Sequence, residues 1–159
     1  MLKIKIITVG ALSERYWKDA VEDYKKRISA FASVEEICLK EARLPSSPSD
    51  AEIARALDAE GEAILAAIPK RALVMPLCIE GRQLSSEELA SKLDGASSSG
   101  ISTVCFIIGS SFGLSASVKS AGTLLSFSRV TFPHQLARVM LYEAVYRALS
   151  ITAGTKYHK

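Results

Sequence analysis

The sequence predicts an α/β fold in which a mostly parallel sheet of about five strands carries helices on both faces. Strand-like and helix-like segments alternate along the 159 residues, which is the order of repeated β-α units. The strand-like runs are apolar at consecutive positions, so both of their faces are expected to lie under helices. Because 48% of the residues are hydrophobic and no linker or internal repeat interrupts the pattern, we expect one domain over residues 1–159.

Five short segments rich in β-branched and aromatic residues are predicted as strands. They cover residues 2–9, 34–39, 72–79, 101–108 and 124–127. Ligands of open α/β sheets bind where the strands end, at their carboxyl edge. The exit of the first strand has no glycine-rich nucleotide motif. The expected site therefore lies in the loops after Ile79, Ile108 and Phe127.

The segments between the strands have helical periodicity, and serines precede three of them. The predicted helix caps are Ser13, Ser49 and Ser85. A glutamate lies three residues after the second and the third of these serines, which predicts capping boxes. The third helix is expected to end near Gly95, a short helix to cover residues 115–121, and a last helix to run from about 133 to 153.

Cysteine, histidine and hydropathy patterns exclude several classes of protein. Cys38, Cys78 and Cys105 are widely spaced in apolar runs, so we interpret them as buried small hydrophobes. His134 and His158 lack metal-ligand spacing, and no metal is expected. No apolar run has membrane-spanning length, and lysines interrupt the first residues, so a soluble cytoplasmic protein is expected.

The charge is distributed unevenly, although the net charge is only +3. Residues 129–159 contain a single acidic residue, Glu143. The basic residues of this segment are Arg129, Arg138, Arg147, Lys156 and Lys159. Such a basic surface is typical of proteins that bind a polyanion, and a solvated helix face is the alternative interpretation.

The C-terminal third carries the most specific motif. Residues 125–138 read LSFSRVTFPHQLAR, and the chain closes with Tyr157-His158-Lys159. This pattern resembles the RlmH (YbeA-type) family of ribosomal RNA methyltransferases, which are members of the knotted SPOUT superfamily. Further matching positions are Tyr16-Trp17, Gly81-Arg82, Gly109 and Gly113-Leu114, so the resemblance spans essentially the whole chain.

The resemblance implies a fold, a reaction and a cofactor. The sheet would end in a C-terminal trefoil knot, whose loops hold S-adenosylmethionine. A homodimer would methylate N3 of a pseudouridine in 23S ribosomal RNA on the assembled ribosome. The apolar side chains of Leu77, Leu125 and Phe127 would suit the adenine. The implied cofactor contacts are Leu77, Gly109, Phe127, Ser128, Arg129, Val130, Thr131 and Phe132.

Candidate catalytic residues follow from the need to remove the N3 proton and to position the base. His134 can exchange a proton near neutral pH, or it anchors the start of the last helix. Arg138 lies four residues later on the same helix face and would hold a phosphate or a base oxygen. The alternative for Arg138 is an ion pair with Glu143 or with a partner subunit.

The terminal tripeptide is the second candidate group, because the family pattern ends in the same way. Tyr157 is expected to stack on the base or to position it, His158 to handle the proton and Lys159 to contact phosphate. Which histidine is the general base stays open. The expected RNA contacts are Arg129, Arg138, Lys156 and Lys159.

Three positions depart from the family pattern: Ser110 replaces a common glycine, Ala144 a common glutamine and Ala11 a frequent lysine. Ser110 has less conformational freedom than glycine, so the backbone beside the cofactor is expected to follow a slightly different path. Apolar residues on more than one side of the last helix indicate packing against both the sheet and a second subunit. The competing hypotheses are a SPOUT methyltransferase for transfer RNA, a non-enzymatic ribosome-associated factor and a small-molecule binder.

Overall fold

The computed structural model describes residues 1–158, with side chains described through Tyr157. Five strands and five helices alternate along the chain, and a short 3-10 turn follows. The strands are β1 (Lys3–Val9), β2 (Ser33–Leu39), β3 (Leu73–Gln83), β4 (Thr103–Ile108) and β5 (Leu125–Ser126). The helices are α1 (Arg15–Ile28), α2 (Asp50–Ala67), α3 (Ser86–Ser98), α4 (Ala116–Lys119) and α5 (His134–Thr152), and the 3-10 turn is Lys156–His158.

The strands form one sheet in the order β2-β1-β4-β3-β5, and every neighbouring pair is parallel. The predicted α/β class with five strands is confirmed. Parallel pairing brings the carboxyl ends of β3, β4 and β5 to the same edge of the sheet, which positions the loops that follow them next to one another.

Two hydrophobic cores cover the two faces of the sheet. Ile4 and Ile6 of β1 face one core, which α1, α3 and α5 complete. Ile7 and Val9 of the same strand face the other core, where α2 and α4 pack. This period-two alternation of buried side chains is what a strand covered on both sides requires. The prediction of helices on both faces is therefore confirmed.

Two of the three predicted caps are confirmed. Ser49 and Ser85 each accept a hydrogen bond from the backbone N–H three residues on, and both capping boxes are complete. The cap at Ser13 is wrong, because α1 begins after Glu14, whose side chain makes no capping hydrogen bond. The backbone N–H of Ser13 donates instead to Gln135 Oε1 at 2.8 Å, which connects the start of α1 to the start of α5.

Two predicted boundaries differ from the structure. Helix α3 continues past Gly95 to Ser98, because a helix interior tolerates a glycine at a cost of only about 1 kcal/mol. Strand β3 continues past Ile79 to Gln83, through a register shift between Leu77 and Arg82 in its pairing with β5. Both differences lengthen an element whose existence the sequence predicts.

The segment just before β5 lies very close to the backbone of β3. The Thr123 N–H donates to the Val74 carbonyl at 2.9 Å, so the chain runs directly along β3. A Cβ atom on Gly122 would lie only 2.1 Å from that carbonyl oxygen, and any side chain there would push the two segments apart. The trefoil knot that the resemblance implies stays a prediction.

Candidate active site

A cleft lies at the carboxyl ends of β3, β4 and β5, where the sequence places the expected site. It consists of two adjoining cavities of about 130 and 720 Å³. The larger value falls within the roughly 300–1,000 Å³ that is typical of small-molecule sites. The residues that line both cavities are Leu77, Cys78, Ile79, Ser110, Gly113, Phe132 and His134.

One wall of the cleft is a tight turn after β4. The Gly113 N–H donates to the Ser110 carbonyl at 2.9 Å, and the two residues form an antiparallel bridge. Gly109 packs so closely beneath this turn that a Cβ atom there would lie 2.1 Å from the Gly113 carbonyl oxygen. Ser110 occupies its place without a positive φ, so serine replaces the common glycine without left-handed strain.

The opposite wall is the segment between β5 and α5. Ser128 organises it, because its hydroxyl accepts the Val130 N–H at 3.0 Å while its carbonyl accepts the Ser126 hydroxyl at 3.0 Å. Phe127 and Phe132 of this segment line the cleft together with Leu77 of β3. The cavity surface therefore combines apolar side chains with exposed backbone, which suits a flat heterocycle that carries polar edges.

His134 lines both cavities, as is expected from the sequence for a residue that acts on the substrate. It is the first residue of α5, and Pro133 before it provides no capping side chain. The imidazole Nδ1 lies 3.4 Å from the Ser111 hydroxyl, so the turn after β4 contacts the start of α5 across the cleft. Its place at a helix N-terminus also puts it next to backbone N–H groups that favour anions.

The rim of the larger cavity carries an ion pair that sequence reasoning missed. Lys119 Nζ pairs with Glu80 of β3, and both residues line the cavity. The pair of residues is 39 positions apart in sequence, and no local pattern connects them.

Arg138 does not reach the cleft or the surface. Its side chain is 3% exposed, and its guanidinium donates to the Gly10 carbonyl at 2.5 Å and contacts Glu36 at 3.4 Å. Tyr142 donates to the other oxygen of Glu36 at 2.9 Å, and burial and Glu36 raise the pKa of Tyr142 above its ordinary value. The expected contact of Arg138 with phosphate is wrong, because its guanidinium is buried and contacts Gly10 and Glu36.

The alternative ion pair of Arg138 with Glu143 is also wrong. Glu143 pairs with Arg147, one helical turn further along α5, at 2.6 Å. Arg138 and Glu36 are 102 positions apart in sequence. Their pairing fixes α5 against β2 and the turn at Gly10.

Tyr157 packs against α5 and does not line either cavity. Its ring centroid lies 4.5 Å from that of Tyr146, and the Arg147 guanidinium lies 4.9 Å from the Tyr157 ring centroid. Burial, with a hydrogen bond to Tyr157 as the second cause, raises the pKa of Tyr24 to about 12. The ring contacts of Tyr157 anchor the 3-10 turn on α5. The His158 side chain and all of Lys159 lie outside the described residues.

Cys78 lines the cleft but is a poor nucleophile. Burial raises the pKa of its thiol above the ordinary value, so the reactive thiolate is scarce at neutral pH. Burial also raises the pKa of Cys105 to about 11. The prediction of buried cysteines holds for Cys105, whereas Cys78 is half-buried and Cys38 exposed.

Most of the implied cofactor residues meet in the cleft. Those that line it are Leu77, Gly109, Phe127, Ser128, Val130, Thr131 and Phe132. Arg129 is exposed and lines neither cavity, and the same holds for Lys156 on the 3-10 turn.

Over the described part of the chain, no cluster of histidine, cysteine and acidic residues is arranged to hold a metal ion. None of the helices in the same part combines the length and the apolar character that a membrane span requires.

A family model described as "Predicted SPOUT methyltransferase" matches residues 2–158. The chain therefore belongs to the SPOUT methyltransferase family, which confirms the family resemblance and the enzyme class. Relatives from Streptococcus pneumoniae strains CGSP14 and JJA are 47% identical over 159 residues, which covers 99% of this chain and 100% of each relative. Both relatives are named "Ribosomal RNA large subunit methyltransferase H".

Proposed function

We propose that this protein methylates N3 of a pseudouridine in 23S ribosomal RNA on the assembled ribosome, with S-adenosylmethionine as the methyl donor. The observation that carries the proposal is the cleft at the carboxyl edge of β3, β4 and β5, which gathers the residues of the family motif around His134. The full-length relatives named as ribosomal RNA methyltransferases support the choice of substrate.

The cleft fits the proposed cofactor. Leu77, Leu125 and Phe127 supply apolar surface for the adenine, and the turn after Gly109 exposes backbone groups for the polar part of the molecule. When bound, S-adenosylmethionine supplies a methyl group activated by its sulfonium. The role of the surrounding residues is to hold the nucleobase in line with that group and to exclude water.

His134 is the proposed proton acceptor for N3. It lies in the cleft, and the contact of Nδ1 with Ser111 orients the ring. Removal of the N3 proton before or during attack turns the nitrogen into a nucleophile. His158 is the second candidate.

Substitution of His134 by Gln is expected to lower the rate of methyl transfer by roughly 10²–10⁴-fold, which is the usual range for a general base. Glutamine retains a polar contact for Ser111 but does not accept a proton at neutral pH. The rate is measured in single turnover, and cofactor affinity is measured by calorimetry. A His134→Gln enzyme with the wild-type rate would make His134 an anchor of α5 only.

The RNA is proposed to contact the exposed side chains of Arg129 and Lys156, together with Lys159. Tyr157 would position the tail, so that His158 and Lys159 reach the RNA. Phosphate contacts of this kind give affinity that falls as salt is raised.

A homodimer is the proposed assembly. Three large apolar side chains at the cleft are exposed: Ile79 by 51%, Phe112 by 47% and Val130 by 65%. An apolar rim of this kind is typical of a protein interface. A stable, active monomer in sedimentation experiments would contradict this assembly.

The function is tested by transfer of labelled methyl groups from S-adenosylmethionine to intact ribosomes, free large subunits and transfer RNA. We expect label in large-subunit RNA, with the highest yield from intact ribosomes. Label in transfer RNA would instead assign the protein to another branch of the family. Cofactor binding without label in any RNA would favour a non-enzymatic ribosome-associated factor.

A further inference from the structure

Helix α2 lies beneath the cleft, although none of the residues that line the two cavities comes from it. Two consecutive residues of α2, Glu60 and Gly61, contact the wall of the cleft and the segment that follows it. A Cβ atom on Gly61 would lie 2.4 Å from the hydroxyl of Ser115, so α2 and the start of α4 touch directly. Ser115 caps α4 and follows the turn that forms the wall.

Glu60 is a buried carboxylate with two uncharged donors. The residue is 6% exposed. Its Oε2 accepts the Ser110 hydroxyl at 2.9 Å, and its Oε1 accepts the Ala42 N–H at 3.0 Å. Burial of a charged carboxylate costs free energy unless its oxygens accept hydrogen bonds. The two donors to Glu60 are therefore held closely in position.

Ser110 connects Glu60 with the wall of the cleft. It lines both cavities, and it is bridged to Gly113 across the tight turn. The next residue, Ser111, contacts His134. The position of the whole wall, from the backbone beside Gly109 to the imidazole of His134, therefore depends on where the Ser110 hydroxyl is held.

We infer that Glu60 is a positioning residue for the methyl-donor site, acting through the Ser110 hydroxyl on the turn of residues 109–113. This inference rests on the proposed function, since it concerns the affinity of the cleft for S-adenosylmethionine. Ser110, which replaces a common glycine of the family, gives the turn a fixed attachment that a glycine would lack.

The test is calorimetric titration of the full chain with S-adenosylhomocysteine, the product of methyl transfer, at a temperature where each variant is folded by circular dichroism. Glu60→Ala is expected to raise Kd by about tenfold, because it removes the charged acceptor that holds the Ser110 hydroxyl on the cleft wall. Glu60→Gln is expected to stay within about threefold of wild type, because its amide can accept from Ala42 and donate to Ser110. Glu62→Ala, an exposed neighbour on α2, is the matched control and is expected to bind normally.

Ser110→Ala removes only the hydroxyl, and this variant tests the inference if Glu60→Ala does not fold. It is expected to weaken binding by about the same factor as Glu60→Ala, and the double variant is expected to be no weaker than either single variant, because the two side chains form one link. Wild-type Kd in folded Ser110→Ala would overturn the inference, as would a loss in Glu60→Gln equal to that in Glu60→Ala. Failure of the wild-type protein to bind the probe would instead refute the proposed function.

Discussion

A chain that ends after residue 156 is expected to lose methyl transfer by at least about 10²-fold, while its affinity for the cofactor stays within about threefold of wild type. The reason is that Tyr157 packs on Tyr146 and Arg147 and lines neither cavity. We therefore expect the tail to act on the RNA and not on the cofactor, through His158 and Lys159. Single-turnover transfer to ribosomes and calorimetric titration with S-adenosylhomocysteine measure the two quantities separately.

Loss of Tyr157 also removes a ring from the contacts on α5, and a second truncation separates that effect. A chain that ends after residue 157 keeps the aromatic packing and lacks only His158 and Lys159. We expect it to lose transfer as severely as the shorter chain, with a smaller change in thermal stability. Equal loss of transfer and of cofactor affinity in both truncations would contradict a specific role of the tail in substrate binding.

Replacement of Gly109 by Ala is expected to lower cofactor affinity by about 10²-fold or more. A Cβ atom at this position would lie 2.1 Å from the Gly113 carbonyl oxygen, so the turn must move by about an ångström, and displacements of that size cost about 10²-fold at precisely built sites. The affinity is measured by calorimetry and the folded state by thermal unfolding.

Gly95→Ala is the matched control, because a Cβ atom there meets no other atom within 4 Å. Gly95 lies inside α3, where alanine is favoured over glycine by about 1 kcal/mol, so this variant is expected to bind normally and to unfold at a higher temperature. Normal cofactor affinity in Gly109→Ala would show that the turn after β4 does not form the cofactor wall.

The sheet and its helices could be predicted from the sequence because the signals are local. The order of apolar runs and the capping boxes at Ser49 and Ser85 depend on residues a few positions apart. The cap at Ser13 rests on a serine alone, without a glutamate three residues later, and a tertiary hydrogen bond to Gln135 uses this serine instead. The register shift in β3 depends on β5 far along the chain, and nothing near Leu77 indicates it.

The site could be predicted only in part, for the same physical reason. The carboxyl edge follows from the predicted parallel sheet, and the motif around His134 follows from the family resemblance. Arg138 pairs with Glu36, which is 102 positions away in sequence, and Glu60 contacts Ser110, which is 50 positions away. Only the folded chain reveals such pairs, because no periodicity relates their positions.

The identity of the methylated nucleoside tests the central claim most directly. Ribosomes that lack the modification are incubated with the protein and S-adenosylmethionine, and the large-subunit RNA is digested to nucleosides for mass spectrometry. The account predicts a pseudouridine that carries one added methyl group on N3, and its initial rate of formation is expected to fall by roughly 10²–10⁴-fold with His134→Gln. A methyl group on a ribose, or on any nucleoside other than pseudouridine, would contradict it.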